Sequence, residues 1–394
     1  MKKIISILSL AVVLTAAATN ASAQKLDELK FYDVRELGLP LLNQGFKDCV
    51  RPDTAQVAQE PVNDGYYTRL AASAESKVRK PVWNLAQNST GIAVRFRTDS
   101  KTIGLKWTLI SNFRMNHMTA AGICGFDLYG WDGQKWRFVG LAQPSGKNSA
   151  TIMRKGMYGT MREYMMYFPL YDGVCKVEIG VDSTAVLEQP CKLGANLLGG
   201  QKDTKPLVFY GTSVTQGGCA SRPGMVYTSI LSRWLGRECI NLGFSGNGRM
   251  DPELADEIAR IDAGAYILDC LGNCSVQAVQ DNTEYFIKTI AEAHPDVPVI
   301  LLSNYPYMYD WVYYNPEAEP AQYEPWNGWY QKFKDWGYDN VQFIEIAGTH
   351  NPEDTMEGSA TGPDNEAAVD GTHLTDLGFW RMAEFMLPYM KEIE

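Results

Sequence analysis

Four short stretches of this chain carry residues whose types and spacing could perform nucleophilic chemistry at a carbonyl. In Asp370-Gly371-Thr372-His373 a carboxylate stands three residues before a histidine. A chain that turns back on itself there can orient the imidazole and leave its far nitrogen facing a hydroxyl. Gly211-Thr212-Ser213-Val214-Thr215-Gln216-Gly217 supplies a hydroxyl just past an apolar run. A serine so placed sits near the start of the next helix, where developing negative charge costs less. Leu242-Gly243-Phe244-Ser245-Gly246-Asn247-Gly248 offers N–H groups that glycine lets approach a ligand closely. Asp269-Cys270-Leu271-Gly272-Asn273 ends in an asparagine whose amide can donate to an oxyanion. Each stretch also has a plainer reading as an ordinary turn or loop. The histidines narrow the field. There are four, and His117, His294 and His350 lack the setting of His373. His117 lies in the strand-rich half, and His294, just before Pro295 at a helix end, reads as a cap.

The elements that would position these residues alternate. Short apolar strands are expected at Pro206–Tyr210, Cys239–Leu242, Ala265–Leu271, Val297–Leu302 and Val341–Ile346. Helices are expected around Tyr227–Leu235, Pro252–Arg260, Glu284–Ala293 and Leu377–Glu392. Asp251 reads as an N-cap, with Pro252 at the first helical position. This alternation predicts a parallel sheet covered on both faces, with its active site at the carboxyl ends of the strands. Residues from about 80 to 190 read differently. Ile92–Arg97, Ile103–Trp107, Gly125–Tyr129, Trp136–Val139 and Lys176–Val181 are strand-like runs cut by turn signals, including Trp131-Asp132-Gly133. They predict a β-sandwich of jelly-roll type. Lys192–Lys205, with its paired glycines and mixed charge, reads as the linker.

The order serine, glycine, asparagine, then Asp-x-x-His, each at a strand end, resembles the pattern of the SGNH (GDSL-like) hydrolase superfamily. The likeness covers residues from about 200 to 394. It implies a three-layer, flavodoxin-like α/β domain with a parallel sheet. It also implies Ser213 as nucleophile, His373 as general base and Asp370 as the group that orients His373. The implied oxyanion hole is the Ser213 N–H, the Gly246 N–H and the Asn273 side chain. Gly246 is preferred to Gly243 because the family's block usually reads Ser-Gly-Asn or Ser-Gly-Asp. Thr212 is a departure, since the common block has Asp before the serine, and it marks a divergent branch. In the first half, Gly125-Phe126-Asp127-Leu128-Tyr129 resembles the G-x-D-L-Y signature of an N-terminal β domain that precedes such hydrolase domains in secreted bacterial proteins. The layout is similar to that of two-domain carbohydrate esterases, with a leader at 1–23, a jelly-roll-like sandwich at 24–195 and the hydrolase domain at 205–394.

The resemblance implies a serine esterase that needs no metal or cofactor. A lipase reading expects an apolar lid near the serine, but Gly218-Cys219-Ala220-Ser221-Arg222-Pro223 is small and polar. Removal of O-acetyl groups from a polysaccharide or oligosaccharide is therefore the leading expectation. An esterase of small or lipid acyl esters and a non-catalytic carbohydrate-binding protein are the alternatives. Tyr305, Trp311 and Trp326 belong to aromatic-rich sequence that could stack on sugar rings, or simply pack against the domain.

Composition bounds the partners. The net charge is −10, and loss of Lys2 and Lys3 with a leader makes it two units more negative. An acidic surface argues against nucleic acid and anionic membranes as partners. Residues 1–23 read as a signal peptide: Lys2 and Lys3, an apolar run from Ile4 to Ala18, and the small-x-small site Ala21-Ser22-Ala23. That run is short for a membrane span. The expectation is export to the periplasm or medium after cleavage near Ala23, without stable membrane insertion. The eight cysteines read mostly as buried free thiols, and Cys270 and Cys274 lack the companions a zinc site needs. The sequence is silent on oligomeric state.

Overall fold

A computed structural model describes residues 26–51, 61–303, 319–346 and 366–393. The leader, Tyr305, Trp311 and His350 lie outside them. Five parallel strands lie side by side in the order Cys239–Gly243, Leu207–Gly211, Ala265–Asp269, Val299–Leu302, Val341–Ile344. In chain order this is 2-1-3-4-5, the flavodoxin-like arrangement. Successive side chains leave a strand on opposite faces. Leu207 and Phe209 enter one core, while Val208 and Tyr210 enter the other. Burial on both faces is why these strands read as unbroken apolar runs.

Helices Tyr227–Leu235 and Asp376–Glu392 cover the first face, and Pro252–Ile258, Val276–Ala293 and Glu319–Asp335 cover the second. Three details differ from the sequence reading. The helix expected from Glu284 begins at Val276, because the Ser275 side chain caps it by accepting from Ala278 N. Glu319–Asp335 forms a helix where the sequence reading places no element. Asp251 stands at the N-cap position but makes no side-chain cap, because its carboxylate accepts from Arg79 Nε at 2.8 Å and Nη2 at 2.9 Å.

The first half forms two antiparallel sheets. One runs Leu29–Asp33, Val174–Asp182, Ile103–Leu109, Asn148–Arg154. The other runs Leu187–Glu188, Ala93–Thr98, Arg162–Tyr167, Phe126–Trp131, Trp136–Ala142, with Leu41–Leu42 also on Ala93–Thr98. Their facing side chains, among them Phe96, Leu105, Trp107, Phe126 and Ile179, form one core.

The last antiparallel strand ends at Glu188 and the first parallel strand begins at Leu207, yet the cores do not divide there. The sandwich core runs on without a break into Leu207, Phe209, Ile267 and Phe379. Phe46, Leu70, Val82 and Trp83 instead join the core on the far face of the parallel sheet. Beside them the buried Arg69 donates to Gly243 O at 2.6 Å and Asn241 O at 3.3 Å. The segment read as a linker is also packed: Leu198 is buried and its carbonyl accepts from Trp136 Nε1 at 2.9 Å. All eight cysteines are free, and only Cys191 is exposed. Among the described residues no helix is long and apolar enough to cross a membrane.

Candidate active site

The strand Leu207–Gly211 runs into Thr212, which caps the four-residue helix Ser213–Gln216. Thr212 Oγ1 accepts from Val214 N at 3.1 Å, and Thr212 N donates to Thr215 Oγ1 at 3.1 Å. This reciprocal box fixes the turn that presents Ser213. Thr212 therefore has a job that its hydroxyl performs, and the absence of Asp at this position does not disturb the turn.

The Asp-x-x-His spacing works through a tight hairpin. Val369 N donates to His373 O at 2.7 Å and Thr375 N to Ala367 O at 2.8 Å. Gly371 takes φ 82°, a left-handed angle that a side chain would oppose. Asp370 Oδ1 accepts from Thr372 N at 3.1 Å and from His373 N at 2.7 Å. Its second oxygen meets the ring: Oδ2 lies 2.7 Å from His373 Nδ1. A carboxylate here can only accept, so the network puts the proton on Nδ1. His373 Nε2 is left to accept from Ser213 Oγ, 2.9 Å away. The structure thus brings Ser213, His373 and Asp370 together in series across 160 residues of chain. Burial acts to raise the Asp370 pKa, but the bonds from His373 and Thr372 outweigh it and hold the group below the usual carboxylate range.

Between Phe244 and Gly248 one backbone N–H has no acceptor among the described residues. Phe244 N donates to Gly211 O, Ser245 N to Gln216 Oε1, and Asn247 N and Gly248 N to Phe244 O. Gly243 N is bonded to Asn241 Oδ1 at 3.0 Å. Gly246 N and Ser213 N have no acceptor among the described residues. Asn273 ends a short 3-10 helix, Leu271–Asn273, after the strand Ala265–Asp269. Its Oδ1 is buried without a partner, and its amide donates to no described group. These three groups lie at adjacent strand ends of the sheet. The arrangement offers a hydroxyl aimed at an imidazole, and free donors where negative charge could develop.

Trp326 does not stand at the rim. It is 1 % exposed, in the core with Phe286, Phe333 and Val341.

Several residues beneath and beside the serine carry no local sequence signal. Tyr171, from the antiparallel half, donates to Ser213 O at 3.2 Å. Gln216 donates to Leu170 O at 3.2 Å while its Oε1 holds the Gly246 loop. Asp269 is buried, and its Oδ2 accepts from Thr215 Oγ1 and Tyr227 OH, each at 2.9 Å. No cation pairs with it among the described residues, and burial pushes its pKa up to about 6 against the pull of those two hydroxyls. The G-x-D-L-Y residues also acquire a role. Buried Asp127 accepts from Arg222 Nη1 at 2.6 Å and Gly224 N at 2.9 Å, and Tyr129 OH accepts from Arg222 at 2.7 Å. They clamp the loop that leaves the serine helix. The sequence shows the motif but not its partner, 95 residues away.

A serine, an imidazole and a carboxylate at the carboxyl ends of a 2-1-3-4-5 sheet define a flavodoxin-like α/β hydrolase. Residues 204–391 match the GDSL-like Lipase/Acylhydrolase family, and residues 48–187 match the N-terminus of Esterase_SGNH_hydro-type. A structure described as a GDSL-like lipase from Bacteroides ovatus ATCC 8483 is 32% identical, covers 93% of this chain and 98% of its own, and superposes with a TM-score of 0.78. The chain belongs to this family and is a carboxylic-ester hydrolase. The fold is shared with the salicylyl-acyltransferase SsfX3 of a tetracycline biosynthetic pathway, at 17% identity, TM-score 0.65, 92% of this chain and 97% of that one. It is shared too with a family two carbohydrate esterase from Clostridium thermocellum in complex with cellohexaose, at 13% identity, TM-score 0.54, 77% of this chain and 92% of that one. No protein of curated function matches the sequence.

Proposed function

We propose that this protein is an exported serine esterase that removes O-acetyl groups from a polysaccharide or oligosaccharide through an acyl-enzyme. The observation that carries the mechanism is the series Ser213 Oγ, His373 Nε2, His373 Nδ1, Asp370 Oδ2, with contacts of 2.9 and 2.7 Å. Ser213 Oγ attacks the ester carbonyl carbon as its proton passes to His373 Nε2. The oxyanion is held by the N–H groups of Ser213 and Gly246 and the Asn273 amide, each worth on the order of 3 kcal/mol. The carbon–oxygen bond to the alcohol breaks, and His373 gives the proton to the departing oxygen. Water then attacks the acetyl-serine, again losing its proton to His373, and acetate leaves as Ser213 Oγ takes the proton back.

Two features favour an acetylated glycan. The loop beside the serine, Gly218–Pro223, is small and polar rather than an apolar lid. The carbohydrate esterase that shares the fold was crystallised with a cello-oligosaccharide. Export is supported by the leader-like residues 1–23. The test is acetate release from acetylated xylan and related glycans, measured beside 4-nitrophenyl esters of rising chain length. Acetate release with preference for the acetyl ester is expected. Faster turnover of long-chain esters would contradict the reading.

A further inference from the structure

A second imidazole stands beside the first. The His117 ring lies with its centroid 6.0 Å from that of His373, tilted by 44°. It comes from the antiparallel half, on a loop fastened at both ends. At one end the buried Asp172 accepts from Ser111 N at 3.1 Å, Ser111 Oγ at 3.0 Å and Phe113 N at 2.9 Å. At the other Met118 is buried, and Thr119 accepts from Gly122 N at 2.9 Å and donates to Ser221 O. His117 is exposed, yet its backbone is held. Asn116 Oδ1 lies 2.9 Å from His117 Nδ1. An amide oxygen only accepts, so Nδ1 carries the proton and Nε2 keeps a lone pair. Nε2 has no partner among the described residues.

The mechanism says which part of an ester would lie there. The imidazole that takes the serine proton hands it to the departing oxygen, so the alcohol lies against His373. The carbonyl oxygen belongs with the donors at the ends of Cys239–Gly243 and Ala265–Asp269. The departing ester oxygen has no hydrogen to give, so with the two ring centroids 6.0 Å apart the lone pair of His117 Nε2 suits a hydroxyl on the neighbouring carbon of the alcohol, which can donate to it. Space is kept open beside His373 by Gly218, where a Cβ would come within 3.1 Å of His373 Cδ2. The wall from Ser111 to Thr119 contains no acid, and Asn116 and His117 are exposed side chains that both donate and accept. Hydroxyls of a polyol match such groups, whereas an aryl or alkyl alcohol leaves them unused.

We infer that His117 is a specificity-determining residue that hydrogen-bonds the alcohol part of the ester, and that the Ser111–Thr119 loop walls a leaving-group subsite for polyhydroxylated alcohols. This rests on the assignment of Ser213 and His373 given above. The test compares kcat/KM on a monoacetylated sugar and on 4-nitrophenyl acetate for the full-length protein, His117→Ala, His117→Gln and Ser213→Ala, with thermal melting as the check on folding. His117→Ala should lower the sugar-to-aryl ratio by about tenfold, the worth of one hydrogen bond. His117→Gln, which keeps a donor and an acceptor, should recover part of the loss. A ratio unchanged in both His117 variants overturns the inference, as does an equal fall on both esters. Ser213→Ala should abolish turnover of both. If it does not, the mechanism itself fails, whatever the His117 variants show.

Discussion

The hairpin that carries Asp370 and the strand end that carries Asp269 both serve the serine turn, and their surroundings push the two carboxyl groups apart. Asp370 is 42% exposed and collects two backbone N–H groups and a ring N–H, which hold it ionised. Asp269 is sealed in the sheet with two hydroxyls for company, and burial lifts it to about 6. Environments that separate the pKa values of neighbouring acids separate their roles. Asp370 is suited to orient an imidazole and to stabilise its charged form. Asp269 fits a different task, holding Thr215 so that the Thr212 cap, and with it Ser213, keeps one geometry. The antiparallel half adds a third case. Asp127 is buried more deeply than Asp269 but has Arg222 as partner, and it joins the two halves of the molecule.

This contrast can be broken in three places. The largest effect is expected from Asp370→Asn, which keeps the shape but favours the wrong tautomer of His373. It should lower kcat by about 10³- to 10⁴-fold while leaving the melting temperature nearly unchanged, and steady-state kinetics with a melting curve would show both. Asp127→Asn comes next, and its effect is on folding. Removing one partner of a buried pair should cost about 3 to 5 kcal/mol, read from urea unfolding, and activity should fall with the loosened 218–225 loop.

The smallest effect is expected from Asp269→Asn, and it shows best in the pH dependence of stability. The folded-state value, about 6, lies above the ordinary 3.8, so the folded protein holds this proton more tightly than the unfolded chain. The contribution of Asp269 to stability is then greatest below the ordinary value. It falls by on the order of 2 to 3 kcal/mol as pH rises through that window. Asn should flatten this slope, with a loss of activity of less than about tenfold. Asp370 has the opposite sign: its folded value is lowered, so its contribution is present above the ordinary value and is lost as pH falls.

The parts of the site written in single strands were legible in the sequence. Leu207–Gly211, Cys239–Gly243 and Ala265–Asp269 are apolar on both faces, so each ends visibly, and the polar residue after each end stands out. The Asp-x-x-His hairpin is likewise local, closed by the bonds of Asp370 to Thr372 and His373. What was not legible depends on contacts between distant segments. Asp251 reads as a cap until Arg79, 172 residues earlier, takes its carboxylate. Trp326 reads as a sugar-stacking ring until the helix Glu319–Asp335 turns it into the core. Tyr171, Asp172 and His117 belong to a half whose strand pattern says nothing of the serine that half supports. The sandwich is therefore part of the site as well as its neighbour in the chain.

In the proposed mechanism everything turns on Ser213 as the nucleophile. The most direct test treats the full-length protein with a fluorophosphonate and locates the adduct by peptide mass spectrometry. A single adduct on Ser213 is expected, formed in step with loss of acetate release, with neither labelling nor activity in Ser213→Ala. An adduct on another residue, or acetate release that survives in Ser213→Ala, would contradict it.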